Sequence, residues 1–234
     1  MGLEERIARV REGIAAAARR AGRAPDGVTL VGVCKTVERP VIDRAHRAGL
    51  RHFGENRVQE ARRKFGPAAP ARPGDLTLHL IGSLQTNKAR DALALFDVVH
   101  SVDRAGLVAA LVKEAGKRAA AGDRRRLPVL LEVNIAGEAS KEGAAPGEAP
   151  ALAALIAGEP ALELRGLMTI APLVADPEET RPVFRALREL RDDLRRAHPQ
   201  LDLPDLSMGM TNDYPVAVEE GATIVRVGRA IFAE

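Results

Sequence analysis

The stretch VTLVGVCKTVERPVIDRAHRAG, residues 28–49, decides the fold. Its first part, Val28 to Cys34, is a run of strand-forming residues, nearly continuous in apolar character, as expected of a strand covered on both faces. Its second part, 38–48, has helical spacing and closes at Gly49. Between the two stands Lys35, an ammonium at the end of a buried strand.

The same strand–helix unit recurs along the chain. Candidate strands lie at 51–54, 76–82, 97–103, 127–135, 162–170, 205–209 and 223–228. Helix-like segments lie near 56–65, 85–95, 104–120, 148–157, 177–197 and 212–220. Ahead of them, 3–18 puts Leu3, Ile7, Val10 and Ile14 on one helical stripe, with Gly22 beyond as a stop. Strands alternating with helices imply parallel pairing and right-handed crossovers. Eight such strands in 234 residues, with no break in composition, predict a (β/α)8 TIM barrel, a single domain over 1–234 with an extra N-terminal helix. A doubly wound open sheet is the alternative, but no GxGxxG follows the first strand. The Gly/Ala/Pro-rich loop 136–149 reads as the most mobile segment.

Composition narrows the function classes. Hydrophobic residues make up 46% and charged residues 29%, a globular balance with no apolar run long enough to span a membrane. The first helix carries Glu4, Glu5, Arg6 and Arg9, unlike a secretory signal, and one cysteine, Cys34, excludes an internal disulfide. These features suit the cytoplasm. The net charge of +3 is spread over faces such as EERIARVRE, where acids interleave with bases. With 3% aromatics, no Trp and a single Tyr, there is no base-stacking platform, so no nucleic-acid partner is expected.

Barrel chemistry collects at the carboxyl ends of the strands. Those ends carry Lys35; Gly54, Glu55 and Asn56; Gly82 and Ser83; Ser101 and Asp103; Asn134; Met168 and Thr169; Ser207, Met208, Gly209 and Thr211; Arg226 and Gly228. Any one Ser, Thr, Asn or Asp here can equally be a helix cap. Strand alternation puts Val31, Val33 and Lys35 on one face and Leu30, Gly32 and Cys34 on the other. If the first face is the interior, the Lys35 amine sits at the top of the lumen, where desolvation would lower its pKa and free it for Schiff-base chemistry. A lysine that snorkels to solvent fits the same position. Cys34, on the helix side, reads as structural.

Barrels often hold phosphate with the loops after strands seven and eight. Here SMGMTND offers Ser207, Gly209 and Thr211, and VRVGRA offers Gly228 and the backbone N–H of Arg229. Each segment alone is also ordinary turn chemistry. Together, opposite a strand-one lysine, they point to a phosphorylated aldehyde or ketone held as an imine. A sugar phosphate, as in lysine-dependent aldolases, and pyridoxal 5′-phosphate (PLP) both satisfy this. Arg226, on strand eight, could face the pyridine nitrogen of the latter.

At this point the motifs VGVCKT, HFGENRVQEA, HLIGSLQTNKAR, SVD, LEVNI…SKEG, RGLMTIAP and LSMGMTNDYPVAVEEGATIVRVGRAIF resemble, in order, the pyridoxal phosphate homeostasis proteins, relatives of the alanine racemase N-terminal barrel. The resemblance runs from about residue 28 to 233. It implies that Lys35 forms the Schiff base with the cofactor. It further implies that Thr211, Gly228 and the Arg229 backbone cradle the phosphate with Ser207 close by, that Arg226 faces the pyridine nitrogen, and that Asn56, Ser83 and Met208 line the pocket.

An arginine at that nitrogen disfavours ring protonation and weakens the electron sink that carbanion chemistry needs. The racemases add a tyrosine base from a second domain. This chain ends at Glu234, and its single tyrosine, Tyr214, at the start of the last helix, reads as a capping or packing residue. The resemblance therefore implies a monomeric protein that holds PLP and hands it on to apo-enzymes without robust catalysis; a PLP-dependent amino-acid racemase is the alternative. Lys141, in the loop after strand five, is either a second, weaker imine site or a solvated loop lysine.

Overall fold

The computed structural model describes residues 1–138 and 141–233. Eight parallel strands close into one barrel in chain order: β1 (Thr29–Val33), β2 (His52–Glu55), β3 (Thr77–Leu80), β4 (Val98–Val102), β5 (Leu127–Glu132), β6 (Leu162–Met168), β7 (Asp205–Ser207) and β8 (Ile224–Val227). β8 returns to β1 with Arg226 opposite Val31. The helices between them are α2 (Arg39–Arg47), α3 (Val58–Phe65), α4 (Ala89–Leu95), α5 (Ala105–Ala120), α6 (Ala149–Ala157), α7 (Arg181–Ala197) and α8 (Tyr214–Glu219). The expected TIM barrel is the fold.

The extra N-terminal helix is α1 (Leu3–Arg20), with Glu4 and Glu5 in its first turn and Arg19 and Arg20 in its last, each complementing the helix dipole. Its stripe of Leu3, Ile7, Val10 and Ile14 is buried, packed mainly against α8 and the last helix, α9 (Arg229–Phe232). Each of these four side chains contributes about 1.5–3 kcal/mol by burial. The sequence reading stops at the eighth strand and misses α9. Four residues are one turn, too short to show a helical period.

Alternation along the strands holds except at irregularities in β4 and between β5 and β6. Val31, Leu130, Met168 and Ile224, with Val98 against them, form a small apolar cluster inside the barrel. Leu30, Cys34, Phe53 and Leu78 join the larger core between strands and helices. The far half of the loop after β5 is tied back, Asn134 N–H donating to the Ala144 carbonyl and Ala144 N–H to that of Glu132, both at 2.9 Å. The mobility expected of loop 136–149 falls in part on Ala139 and Ser140, which lie outside the described residues. No helix among the described residues is long and apolar enough to cross a membrane.

Candidate functional site

A cavity of about 1070 Å³ opens at the carboxyl ends of the strands. Six of the residues expected at the site line it: Lys35, Asn56, Thr211, Arg226, Gly228 and Arg229. β1 stops at Val33, and the chain turns with Val37 N–H donating to the Cys34 carbonyl at 2.9 Å. This turn lifts Lys35 to the mouth of the cavity, where it is exposed. The expected desolvation is therefore absent: the lysine shares the interior parity of Val31 but sits past the strand end, above the lumen. Among the described residues it has no ion-pair partner.

Directly behind it is a buried ion pair. Lys64 Nζ, on α3, donates to Glu55 Oε1 at 2.7 Å and to the Cys34 carbonyl at 2.6 Å. Both side chains are essentially inaccessible to solvent. The Cys34 thiol donates to the same carboxylate at 3.2 Å, and burial pushes its pKa well up, so Cys34 is inert and structural, as expected. Burial also raises Glu55, with Lys64 pulling the other way. The pair pins the peptide bond that leads into Lys35.

Across the cavity, Arg226 is buried. Its Nη1 donates to Ser207 Oγ at 2.6 Å and its Nη2 to the Thr169 carbonyl at 2.8 Å. Burial brings its pKa down to about 10, opposed by the charges of Glu132 and Asp213. Glu132, which ends β5, is pushed up to about 7 by burial, with Arg226 pulling it down.

The two loops expected to cradle an anion meet at the third side. Gly209 takes φ +92°, a conformation that favours glycine, and a side chain there would strike Ala217 Cβ at 2.5 Å. The turn beyond it is held by Met210 N–H donating to Asp213 Oδ1 at 2.6 Å. Gly228, before α9, packs so close to β1 that a Cβ would lie 3.3 Å from the Val33 carbonyl oxygen. Arg229 Nη2 donates to Asn212 Oδ1 at 3.3 Å, joining the loops. Among the described residues, the N–H groups of Thr211 and Gly228 have no protein acceptor. Asn56 Oδ1 is buried without a partner. Unspent backbone donors, a lone amine, a guanidinium and one orphaned acceptor, the Asn56 amide oxygen, share one cavity and form a polar set suited to a phosphorylated aldehyde.

Three expected residues stand elsewhere. Ser207 lies inside the barrel, with Oγ engaged by Arg226 and His100 rather than by the anion loops. Met208, one position on, has the opposite parity and packs in the core on the helix side. Ser83 is exposed, in the loop past β3, and does not line the cavity. Tyr214 packs its hydroxyl onto Gly13 of α1, where any side chain would collide with it, so it is a packing residue. Lys141 Nζ lies 2.8 Å from Glu138 Oε1, and its side chain is half-buried.

Sequence reasoning missed the Lys64–Glu55 pair, Glu132, and three histidines inside the barrel, His52, His79 and His100. Strand parity, which places Lys35, would also have placed Glu132 and the histidines.

Residues 7–234 match the model of the alanine racemase N-terminal domain. Over 230 residues the chain is 44% identical to the pyridoxal phosphate homeostasis protein of Aquifex aeolicus, covering 98% of this chain and 97% of that one. The chain belongs to the pyridoxal phosphate homeostasis protein family. The family member of Pseudomonas aeruginosa is also 44% identical over 230 residues, covering 98% and 94%. Among solved structures, PipY of Synechococcus elongatus with PLP bound superposes with a TM-score of 0.82 at 37% identity, covering 99% of this chain and 100% of that one. Alanine racemase from Corynebacterium glutamicum shares the fold at 16% identity, with a TM-score of 0.64, over 95% of this chain and 59% of the racemase.

Proposed function

We propose that this chain is one PLP-binding unit that carries the cofactor as a Schiff base on Lys35 and passes it to apo-enzymes. One observation carries the reading: the unpartnered Lys35 amine, the Arg226 guanidinium and the free N–H groups of Thr211 and Gly228 share one cavity. The Lys35 nitrogen adds to the aldehyde carbon and water leaves. The phosphate is held by Thr211, Gly228 and the Arg229 backbone, at the start of a helix. Arg226 meets the ring nitrogen, and Asn56 borders the ring. PLP bound to PipY and the names of the relatives support the same cofactor.

The exposure of Lys35 supports delivery over storage. An incoming amine reaches the Lys35-linked carbon from solvent and replaces the lysine without any part of the barrel opening. Bound PLP supplies an electron sink, and an arginine at its ring nitrogen weakens that sink. The packing of Tyr214 onto α1 removes the tyrosine as a proton carrier at the cavity. We therefore read the protein as a carrier without robust catalysis.

Exchange of the α-proton of amino acids in heavy water separates carrier from racemase. The carrier exchanges no faster than free PLP at the same concentration. Exchange well above that rate makes the protein an enzyme.

A further inference from the structure

Three imidazoles stand inside the barrel, where an unpaired polar group is costly. His52 Nδ1 lies 3.0 Å from His79 Nε2, His79 Nδ1 lies 2.9 Å from His100 Nε2, and His100 Nδ1 lies 2.9 Å from Ser207 Oγ. Ser207 Oγ in turn accepts from Arg226 Nη1 at 2.6 Å. These residues come from β2, β3, β4, β7 and β8, so the His100–Ser207 bond crosses the lumen. His79, His100, Ser207 and Arg226 are buried. His52, half-buried, lines a second cavity of about 450 Å³ between α1 and the amino ends of β1 and β2.

The chain has one direction. Arginine can only donate, so Ser207 Oγ accepts from it. The Ser207 hydroxyl proton has one remaining partner, His100 Nδ1, and pointing elsewhere would bury it unpaired. His100 then carries its proton on Nε2 and donates to His79 Nδ1. His79 likewise donates from Nε2 to His52 Nδ1, which leaves the His52 proton on Nε2. All three rings are neutral. Burial brings His79 down to about 3 and His100 well below the usual histidine value.

We propose that Ser207 is a positioning residue for Arg226, the head of a one-way hydrogen-bond chain through His100 and His79 to His52 that fixes the face Arg226 presents to the cofactor cavity. Rotating the guanidinium would orphan Ser207 and free every tautomer behind it, while the Thr169 carbonyl holds the other nitrogen. The cofactor side of the inference rests on the proposed role of Arg226; the chain itself does not.

The test begins with the cofactor-free protein. Nitrogen-15 NMR of the imidazole rings reads the tautomers directly. His79 and His100 should each be a single Nε2–H form. Ser207→Ala should leave mixed tautomers, and Ser207→Thr should restore the single form. An Nδ1–H form in the native protein, or tautomers unmoved by Ser207→Ala, overturns the chain. In the loaded protein, Ser207→Ala should weaken PLP binding about tenfold, as loss of a hydrogen bond to a charged group implies, with Ser207→Thr within about threefold of native. Affinity unchanged in Ser207→Ala overturns the positioning role. If the native tautomers are as expected but PLP does not bind, the proposed function fails and the chain stands.

Discussion

Lys35 and Arg226 face one cavity but are held in opposite ways. Lys35 is exposed and unpaired, and its support is behind it, in the Lys64 ammonium that pins the Cys34 carbonyl. Arg226 is buried and held through its own nitrogens by Ser207 and Thr169. The difference follows from the work proposed for each. A nucleophile that must form and break a bond to a transferable group needs access and a rigid backbone. A group that sets the electronics of a ring needs a fixed direction and no water.

The sharpest way to break this contrast is to remove the support behind Lys35. Lys64→Met leaves the Glu55 carboxylate buried without its cation. The loss expected is about 3–5 kcal/mol, read by urea unfolding. Adding Glu55→Gln should recover part of it, because the amide needs no counter-charge. A loss under about 1 kcal/mol would mean that the pair supports nothing.

A smaller effect is expected beside Arg226. Glu132 titrates near 7 in the folded protein against 4.5 for an ordinary glutamate, a raised value. Its stabilising contribution is complete below pH 4.5 and is lost as pH rises through 7, on the order of 3 kcal/mol in all. Glu132→Gln should flatten that part of the stability–pH curve and make the protein more stable than native at pH 8. An unchanged slope between pH 4.5 and 7 would remove Glu132 from the electrostatics of the site.

The smallest effect sharpens the comparison by contrast. Tyr214 is close to the anion loops in sequence, but its hydroxyl rests on α1. Tyr214→Phe should change stability by under about 0.5 kcal/mol and leave PLP affinity at its native value. A clear fall in affinity would return Tyr214 to the cavity.

Much of this was legible in the sequence. Parallel strands covered on both faces read as apolar runs, and these runs alternate with amphipathic helices, so the barrel is visible without tertiary information. Lys35 was legible because its residue type is out of place at a strand end. Met208 and Ser83 show the limit. A strand end marks the rim of the barrel, but a step of one residue turns a side chain from the cavity to the helix layer. The histidine chain was hidden for another reason. Each histidine comes from a different strand, and only closure of the barrel brings β4 across from β7. Lys64 sits in RRK, a surface-like run, and nothing local marks it as the partner of Glu55.

The central claim is that Lys35 carries PLP at the mouth of the barrel. The most direct measurement is the absorption spectrum of the protein with PLP, before and after borohydride, followed by mapping of the reduced peptide. A yellow species whose reduction leaves a pyridoxyl group on Lys35 is the result expected. A colourless protein that takes up no PLP, or a pyridoxyl group on another lysine with Lys35 unmodified, would contradict it.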